Sequence, residues 1–332
     1  MKNIFYDKEA NLKYLKGKTV GIIGYGIQGR AQALNIRDSG IKVIVANRND
    51  KYATQAKRDG FKIYRIDDLV KVADIILFLI PDQAQAKVYK KFVKNNLKPG
   101  NMLIFAHGYA LRYETIDIPS YVDVAMLAPR MPGRQIREYF LSGKGVPAFV
   151  DVAKDASGLA WKVLLALSKA AGFTRAGVLR VSYKVEAELD LFMEQFLVSA
   201  IVKAIHTGFK VLVDEMKYPA VPTLMELYAS GELAEVLRMA SELGIGTVFQ
   251  KNASPTCQYG IASHFNAAIG GDSYKRAKRI MKNVKNGVFE KALNREGSAS
   301  YPAVRKLWKT VDTKKLVKTQ EWINKNFKRK AA

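Results

Sequence analysis

Lys18-Thr19-Val20-Gly21-Ile22-Ile23 is a short β-branched, apolar run that ends in Gly24-Tyr25-Gly26-Ile27-Gln28-Gly29, and this junction limits the fold more than any other stretch. Its order is strand, glycine turn, helix. Gly24 permits the tight turn, Gly26 lets backbone approach a pyrophosphate, and Gly29 lets the helix pack on the strand. The helix that follows, through Asp38, aims its first amides at the phosphates. The spacing predicts a dinucleotide-binding loop over Gly24, Tyr25, Gly26, Ile27, Gln28 and Gly29, in a doubly wound, mostly parallel α/β domain of the Rossmann type.

Further strands support the same reading. Lys42-Val43-Ile44-Val45-Ala46 leads into Asn47 and Arg48, which stand where an acidic residue would accept the ribose 2′-hydroxyl of NAD and which suit a 2′-phosphate instead. NADPH is therefore the expected cofactor, with Asp50 keeping NAD open. Asp74-Ile75-Ile76-Leu77-Phe78-Leu79-Ile80 reads as a strand buried on both faces. It ends at Pro81-Asp82, placing Asp82 and Gln85 at the cofactor crevice, with Asp82 also suited to cap a helix.

Met102-Leu103-Ile104-Phe105-Ala106 runs into His107-Gly108, so His107 stands at the carboxyl end of a strand, as a proton donor or a polar anchor. After Val122-Asp123-Val124-Ala125-Met126-Leu127, the residues Ala128-Pro129-Arg130-Met131-Pro132-Gly133 predict a rigid loop. Arg130 in that loop could pair with a substrate carboxylate or a cofactor phosphate, and Gly133 is assigned to the cofactor side. Strand-like runs stop at Val181, which divides the chain into 1–181 and a helical 182–328.

The helical half opens on Glu186-Ala187-Glu188-Leu189-Asp190-Leu191-Phe192-Met193-Glu194-Gln195. Glu186, Asp190 and Glu194 recur every fourth residue and share a helix face. Like charges so placed repel, and they need either a compensating cation, for which hard oxygens suit magnesium, or open solvent. A second helix is expected from about Val198 to Glu215, with His206 structural. Glu226 lies in an apolar setting before Gly231, where a carboxylate needs a partner.

Composition narrows the function classes. With 332 residues, 48% of them apolar, the chain can bury a full core. No apolar run reaches the roughly 18 residues of a membrane span, and the N-terminus lacks a signal peptide's apolar centre, so a soluble cytoplasmic protein is expected. The single Cys257 excludes an internal disulfide and is expected to be packed. A formal charge of +24 invites a nucleic-acid reading, with its excess late, in Lys275–Arg279 and Lys328-Arg329-Lys330. No zinc-finger or RNA-recognition spacing accompanies it, and such a field also attracts anionic substrates and phosphates.

Gly24–Gly29, Pro81-Asp82, Ala106-His107-Gly108, Ala128-Pro129-Arg130, Asp190-Leu191-Phe192-Met193-Glu194-Gln195 and Gln258-Tyr259-Gly260, in this order, resemble ketol-acid reductoisomerase of the short-chain class. The resemblance implies a Rossmann domain followed by an all-helical, knotted domain that completes the active site across a dimer. It implies metal-binding carboxylates at Asp190, Glu194 and Glu226, an active-site histidine at His107 and a substrate-binding serine at Ser254. The activity implied is NADPH- and Mg2+-dependent conversion of 2-acetolactate or 2-aceto-2-hydroxybutyrate to 2,3-dihydroxy acids, in valine and isoleucine synthesis.

Two positions depart from the family pattern: Ser230 stands where a fourth metal-binding glutamate is usual, and Arg130 where lysine is. Both touch the metal-centred step. An alternative is thus a divergent paralogue acting only as an NADPH-dependent 2-keto acid reductase.

Overall fold

A computed structural model describes residues 3–268, 270 and 272–327, so the basic tail Lys328-Arg329-Lys330 lies outside the described residues. The chain divides into two compact units, Met1–Asp190 and Leu191–Ala332.

The first unit holds one nine-stranded sheet. Its strands are β1 (Ile4–Phe5), β2 (Thr19–Ile23), β3 (Lys42–Ala46), β4 (Ile63–Tyr64), β5 (Ile75–Phe78), β6 (Met102–Phe105), β7 (Asp123–Pro129), β8 (Ala148–Lys154) and β9 (Val178–Arg180). Their spatial order is β1-β9-β8-β7-β6-β5-β2-β3-β4. From β4 to β7 all neighbours are parallel, while β8 runs antiparallel to β7. The chain leaves β2 in one direction through β3 and β4, then returns to place β5 on the other side. Such a reversal opens a crevice at the carboxyl ends of β2 and β5.

Alternation within these strands explains why both sheet faces are covered. Val20 and Ile22, Ile75 and Leu77, and Met102 and Ile104 enter one core, shared with the helices Ile27–Asp38 and Ala160–Ala170. The residues between them, Ile23, Ile76, Phe78, Leu103 and Phe105, enter a second core with Leu69 and Val70. A strand apolar at every position has no solvent face, and a helix layer on each side is the way to bury it.

Three local expectations need correcting. The stretch after β7 is not loop from Ala128 onward: Ala128 and Pro129 pair with Phe149 and Ala148 of β8, and the chain turns only at Arg130, whose amide donates to the Pro147 carbonyl. Asp82 does not cap its helix; Pro81 holds the cap position, and the Asp82 carboxylate is engaged elsewhere. The helix carrying the acidic face does not end near Val198 but continues from Tyr183 to Glu215, with π-helical turns at Glu194–Val198 and Lys210–Glu215. Gly208 lies within it, and a Cβ there would meet Leu227 at 3.1 Å.

The second unit is helical throughout its described residues. Its core is small: Phe209, Val213, Leu224, Ala229, Leu316 and Ile323 form the buried cluster. His206 borders a cavity of about 240 Å³ there, with Phe209 and Leu316. Cys257 is exposed rather than packed, since its helix, Pro255–His264, buries no residue within the chain.

Candidate active site

The three glycines of the fingerprint perform three separable tasks. Gly24 adopts φ +99°, and a Cβ there would meet the Leu79 carbonyl at 2.6 Å. A Cβ on Gly29 would stand 1.9 Å from the Gly24 carbonyl oxygen, so helix and turn touch backbone to backbone. Gly26, with φ −71°, would meet nothing within 4 Å. It opens onto a crevice of about 770 Å³, and as helix cap it has no side chain to satisfy the first amides, which are left for an anion.

Tyr25 is fully buried and does not line the crevice. Its amide donates to Asn47 Oδ1 (2.9 Å) and its hydroxyl to Asp59 Oδ2 (2.9 Å), tying the glycine turn to the next crossover. Burial, then the bond to Asp59, pushes the phenol pKa up. Asp59 also receives Arg30 Nε and Nη2 and Gln55 Nε2. The hydrogen-bonded Arg30 guanidinium holds the Asp59 carboxyl below its ordinary value. A depressed carboxylate pKa contributes stability above the unfolded value that is lost as pH falls through the folded one. Asp59→Asn is expected to cost about 1–2 kcal/mol in urea unfolding at neutral pH, a smaller loss below pH ~4, and to weaken NADPH binding through Tyr25.

At the ribose end, Asn47 and Arg48 line the crevice as expected. Asp50 is committed elsewhere. It caps the helix Lys51–Arg58 by accepting from the Tyr52 and Ala53 amides, and it receives Asn47 Nδ2 and Arg48 Nε. A carboxylate so occupied is a poor acceptor for a ribose hydroxyl, while the Arg48 side chain is 87% exposed and available to a phosphate.

The reaction end gathers side chains from three strand ends and the start of the long helix. His107 Nδ1 bonds Asp82 Oδ2 at 2.9 Å, and Asp82 Oδ1 accepts from Gln85 Nε2. His107 Nε2 faces Asp190 Oδ2 at 3.6 Å, too far for a hydrogen bond. Gly108 is required because its Cβ would fall 2.1 Å from the Tyr183 carbonyl; its amide donates to Glu186 Oε2 at 2.7 Å. Arg130 spans two carboxylates, with Nη2 at 2.7 Å from Glu186 Oε1 and Nη1 at 3.1 Å from Asp190 Oδ1. In this structure the cation that meets the acidic helix face is, for two of its three members, Arg130, which also lines the crevice.

Burial opposes a charged His107, yet the Asp82 hydrogen bond and the charges of Asp82, Glu186 and Asp190 outweigh it and hold the pKa up to about 9. The stability this contributes to the metal-free chain is present below the ordinary value of 6.5 and lost as pH rises through 9, at most about 3 kcal/mol. Imidazole NMR should show His107 titrating near pH 9, and in Asp82→Asn markedly lower.

Of the residues assigned from sequence, Gly24, Gly26, Ile27, Gln28, Asn47, Arg48, Asp82, Gln85, His107, Arg130 and Asp190 line one crevice. Gly29 and Gly133 serve packing instead; a Cβ on Gly133 would meet the Ile27 carbonyl at 2.2 Å. Glu194, Glu226 and Ser254 belong to the second unit. Glu194 and Glu226 are exposed, and Ser254 caps the helix Pro255–His264 by accepting from the Cys257 amide. Fully buried Glu186 was not assigned a site role, although its place on the acidic face was the available signal.

A dinucleotide fits this crevice: Gly26 leaves the room, the helix offers amides, and Gln85 Oε1 is a buried acceptor with no partner. For a divalent ion the crevice offers the hard carboxylate oxygens of Asp190. Among the described residues, no three His, Cys, Asp or Glu side chains converge to hold it within one chain.

Residues 14–177 match the family model described as acetohydroxy acid isomeroreductase, NADPH-binding domain, and 183–329 match ketol-acid reductoisomerase, C-terminal domain. Ketol-acid reductoisomerase (NADP(+)) of Pyrobaculum calidifontis is 41% identical over 309 residues, covering 92% of this chain and 93% of the relative. That of Pyrococcus abyssi is 39% identical over 324 residues, covering 97% and 96%. Among solved structures, an NADH-preferring ketol-acid reductoisomerase from an uncultured archaeon superposes with a TM-score of 0.92 at 31% identity, covering 99% of this chain and all of that one. With the crevice built on the fingerprint and both halves matched, the chain belongs to the ketol-acid reductoisomerase family, NADP-dependent oxidoreductases of branched-chain amino acid biosynthesis.

Proposed function

We propose that the chain converts 2-acetolactate or 2-aceto-2-hydroxybutyrate to 2,3-dihydroxy acids with NADPH and Mg2+, by alkyl migration followed by reduction. The observation that carries this reading is the single crevice in which the glycine turn, the Asp82–His107 pair and Asp190 meet. NADPH supplies the hydride, and the amides at Gly26 with Arg48 hold its phosphates. Asp190, Glu194 and Glu226 are the ligands we assign to Mg2+, which supplies Lewis-acid polarisation of the substrate's oxygens.

The protein groups handle orientation and protons. Asp82 fixes the imidazole through Nδ1, leaving Nε2 as the atom that passes a proton at the reacting oxygens. Gln85 in turn fixes Asp82. Ser254, at a helix cap whose hydroxyl hydrogen is still free to donate, is assigned to the substrate carboxylate.

A second copy of the chain is part of this proposal, as is the knotted arrangement of the helical half. Val185, Leu189, Met193, Leu197 and Ile201 recur every fourth residue along the long helix and are each 37–52% exposed. By length and composition the helix Tyr183–Glu215 could cross a membrane, with a mean hydropathy of 1.6 over its most apolar window. We assign its apolar stripe to a second copy because the same helix carries Asp190 and Glu194, and among the described residues of one chain no three ligands gather around them. Leu197→Asp should shift the protein to monomer in sedimentation velocity and lower turnover at least ~100-fold; a dimer of full activity would refute the assignment. We read the protein as cytoplasmic.

The clamp of Arg130 on Asp190 favours a second reading, a reductase acting on ready-made 2-keto acids. Turnover of a 3-hydroxy-2-keto acid measured beside 2-acetolactate separates the two. The proposal expects both to be consumed, and consumption of the keto acid alone selects the reductase.

A further inference from the structure

Arg130 is held with unusual completeness for a crevice cation. Its Nη2 meets Glu186, which is fully buried and also takes the Gly108 amide; its Nε donates to the Ala128 carbonyl at 3.3 Å; and its guanidinium lies 4.9 Å from the Phe149 ring centre. Three contacts of different kinds fix one planar group. The remaining nitrogen, Nη1, is therefore delivered to Asp190 Oδ1 by the frame around it and not by Asp190 alone. A guanidinium cannot lose its proton near neutral pH, and its rigid fork cannot retract as a lysine's single ammonium can.

We propose that Arg130 is a built-in cation that competes with the divalent ion for the Asp190 carboxylate, so that this chain binds the metal weakly. This rests on the metal assignment above. The Nη1 hydrogen bond takes up one lone pair of Asp190 Oδ1 and draws on its negative charge, and a dication a few ångströms from a fixed guanidinium is repelled by it.

The test is Mn2+ binding, followed by isothermal titration and by the EPR signal of free Mn2+, on the full-length wild type, Arg130→Met and Arg130→Lys, with Asp190→Asn as control. Glu186→Gln is combined with Arg130→Met so that removing the guanidinium does not strand a buried carboxylate, and circular dichroism verifies folding. The expected result is Mn2+ affinity at least about ten-fold tighter in Arg130→Met/Glu186→Gln than in wild type, Arg130→Lys between them, and Asp190→Asn without binding. Equal or weaker affinity in the folded double variant overturns the competition while leaving the metal assignment intact. Absence of Mn2+ binding in every variant overturns the metal assignment, and this inference with it.

Discussion

Asp190→Asn is expected to lower turnover of 2-acetolactate at least ~1,000-fold while leaving NADPH binding within about two-fold of wild type. Asparagine keeps the shape of aspartate and removes its charge, so a divalent ion loses its ligand in the crevice, whereas the glycine turn is untouched. Stability should change by only about 1 kcal/mol, because Glu186 still holds Arg130 from the other side. Glu188→Gln is the matched control. Glu188 sits on the same helix but pairs with Arg112 at 2.9 Å, away from the crevice lining, and its turnover should stay near wild type. Stopped-flow NADPH oxidation and cofactor fluorescence titration measure both quantities. Equal losses in the two variants would mean that the helix, and not the Asp190 carboxylate, was being tested.

The second large effect comes from a pair of glycines three residues apart. Gly29→Ala places a methyl 1.9 Å from the Gly24 carbonyl oxygen, so the helix Ile27–Asp38 must move off β2 by about an ångström or the turn must open. Overpacking of backbone against backbone has no flexible side chain to absorb it. A loss of about 3 kcal/mol or more is expected, together with loss of NADPH binding. Gly26→Ala separates the two effects. Its φ suits any residue and its methyl meets nothing within the chain, so the protein should unfold at the wild-type temperature yet bind NADPH at least ~10-fold more weakly, because the methyl occupies space kept for the cofactor. Thermal melts with and without NADPH give both readings.

Features with a local cause were legible in the sequence. The fingerprint, the doubly wound sheet, and His107 at a strand end follow from apolar runs and glycines within a few residues of one another, and β3 was bounded correctly at Lys42–Ala46. The acidic face was also legible, as was its need for a cation. What could not be read is that Arg130 pairs with Glu186 and Asp190, because it lies 56 residues before Glu186 and the two meet only once β7 and the long helix are in place. Asp59 escaped for the same reason: its partners Tyr25 and Arg30 come from a different crossover. Asp82 shows how local chemistry can mislead. Placed after Pro81 it reads as a cap, but the imidazole of His107, 25 residues on, claims one of its oxygens. Cys257 and the exposed stripe of the long helix are apolar positions that a single chain leaves open.

We infer that this crevice performs both steps on an acetohydroxy acid even with Arg130 held against Asp190. Its most direct test is NADPH oxidation by the wild-type protein on 2-acetolactate, with Mg2+ and after its removal by chelation, with the product identified. The expected result is Mg2+-dependent oxidation that yields the 2,3-dihydroxy acid, one NADPH per product. Full-rate oxidation after chelation, or no oxidation of 2-acetolactate at saturating Mg2+ by a protein that binds NADPH, would contradict it.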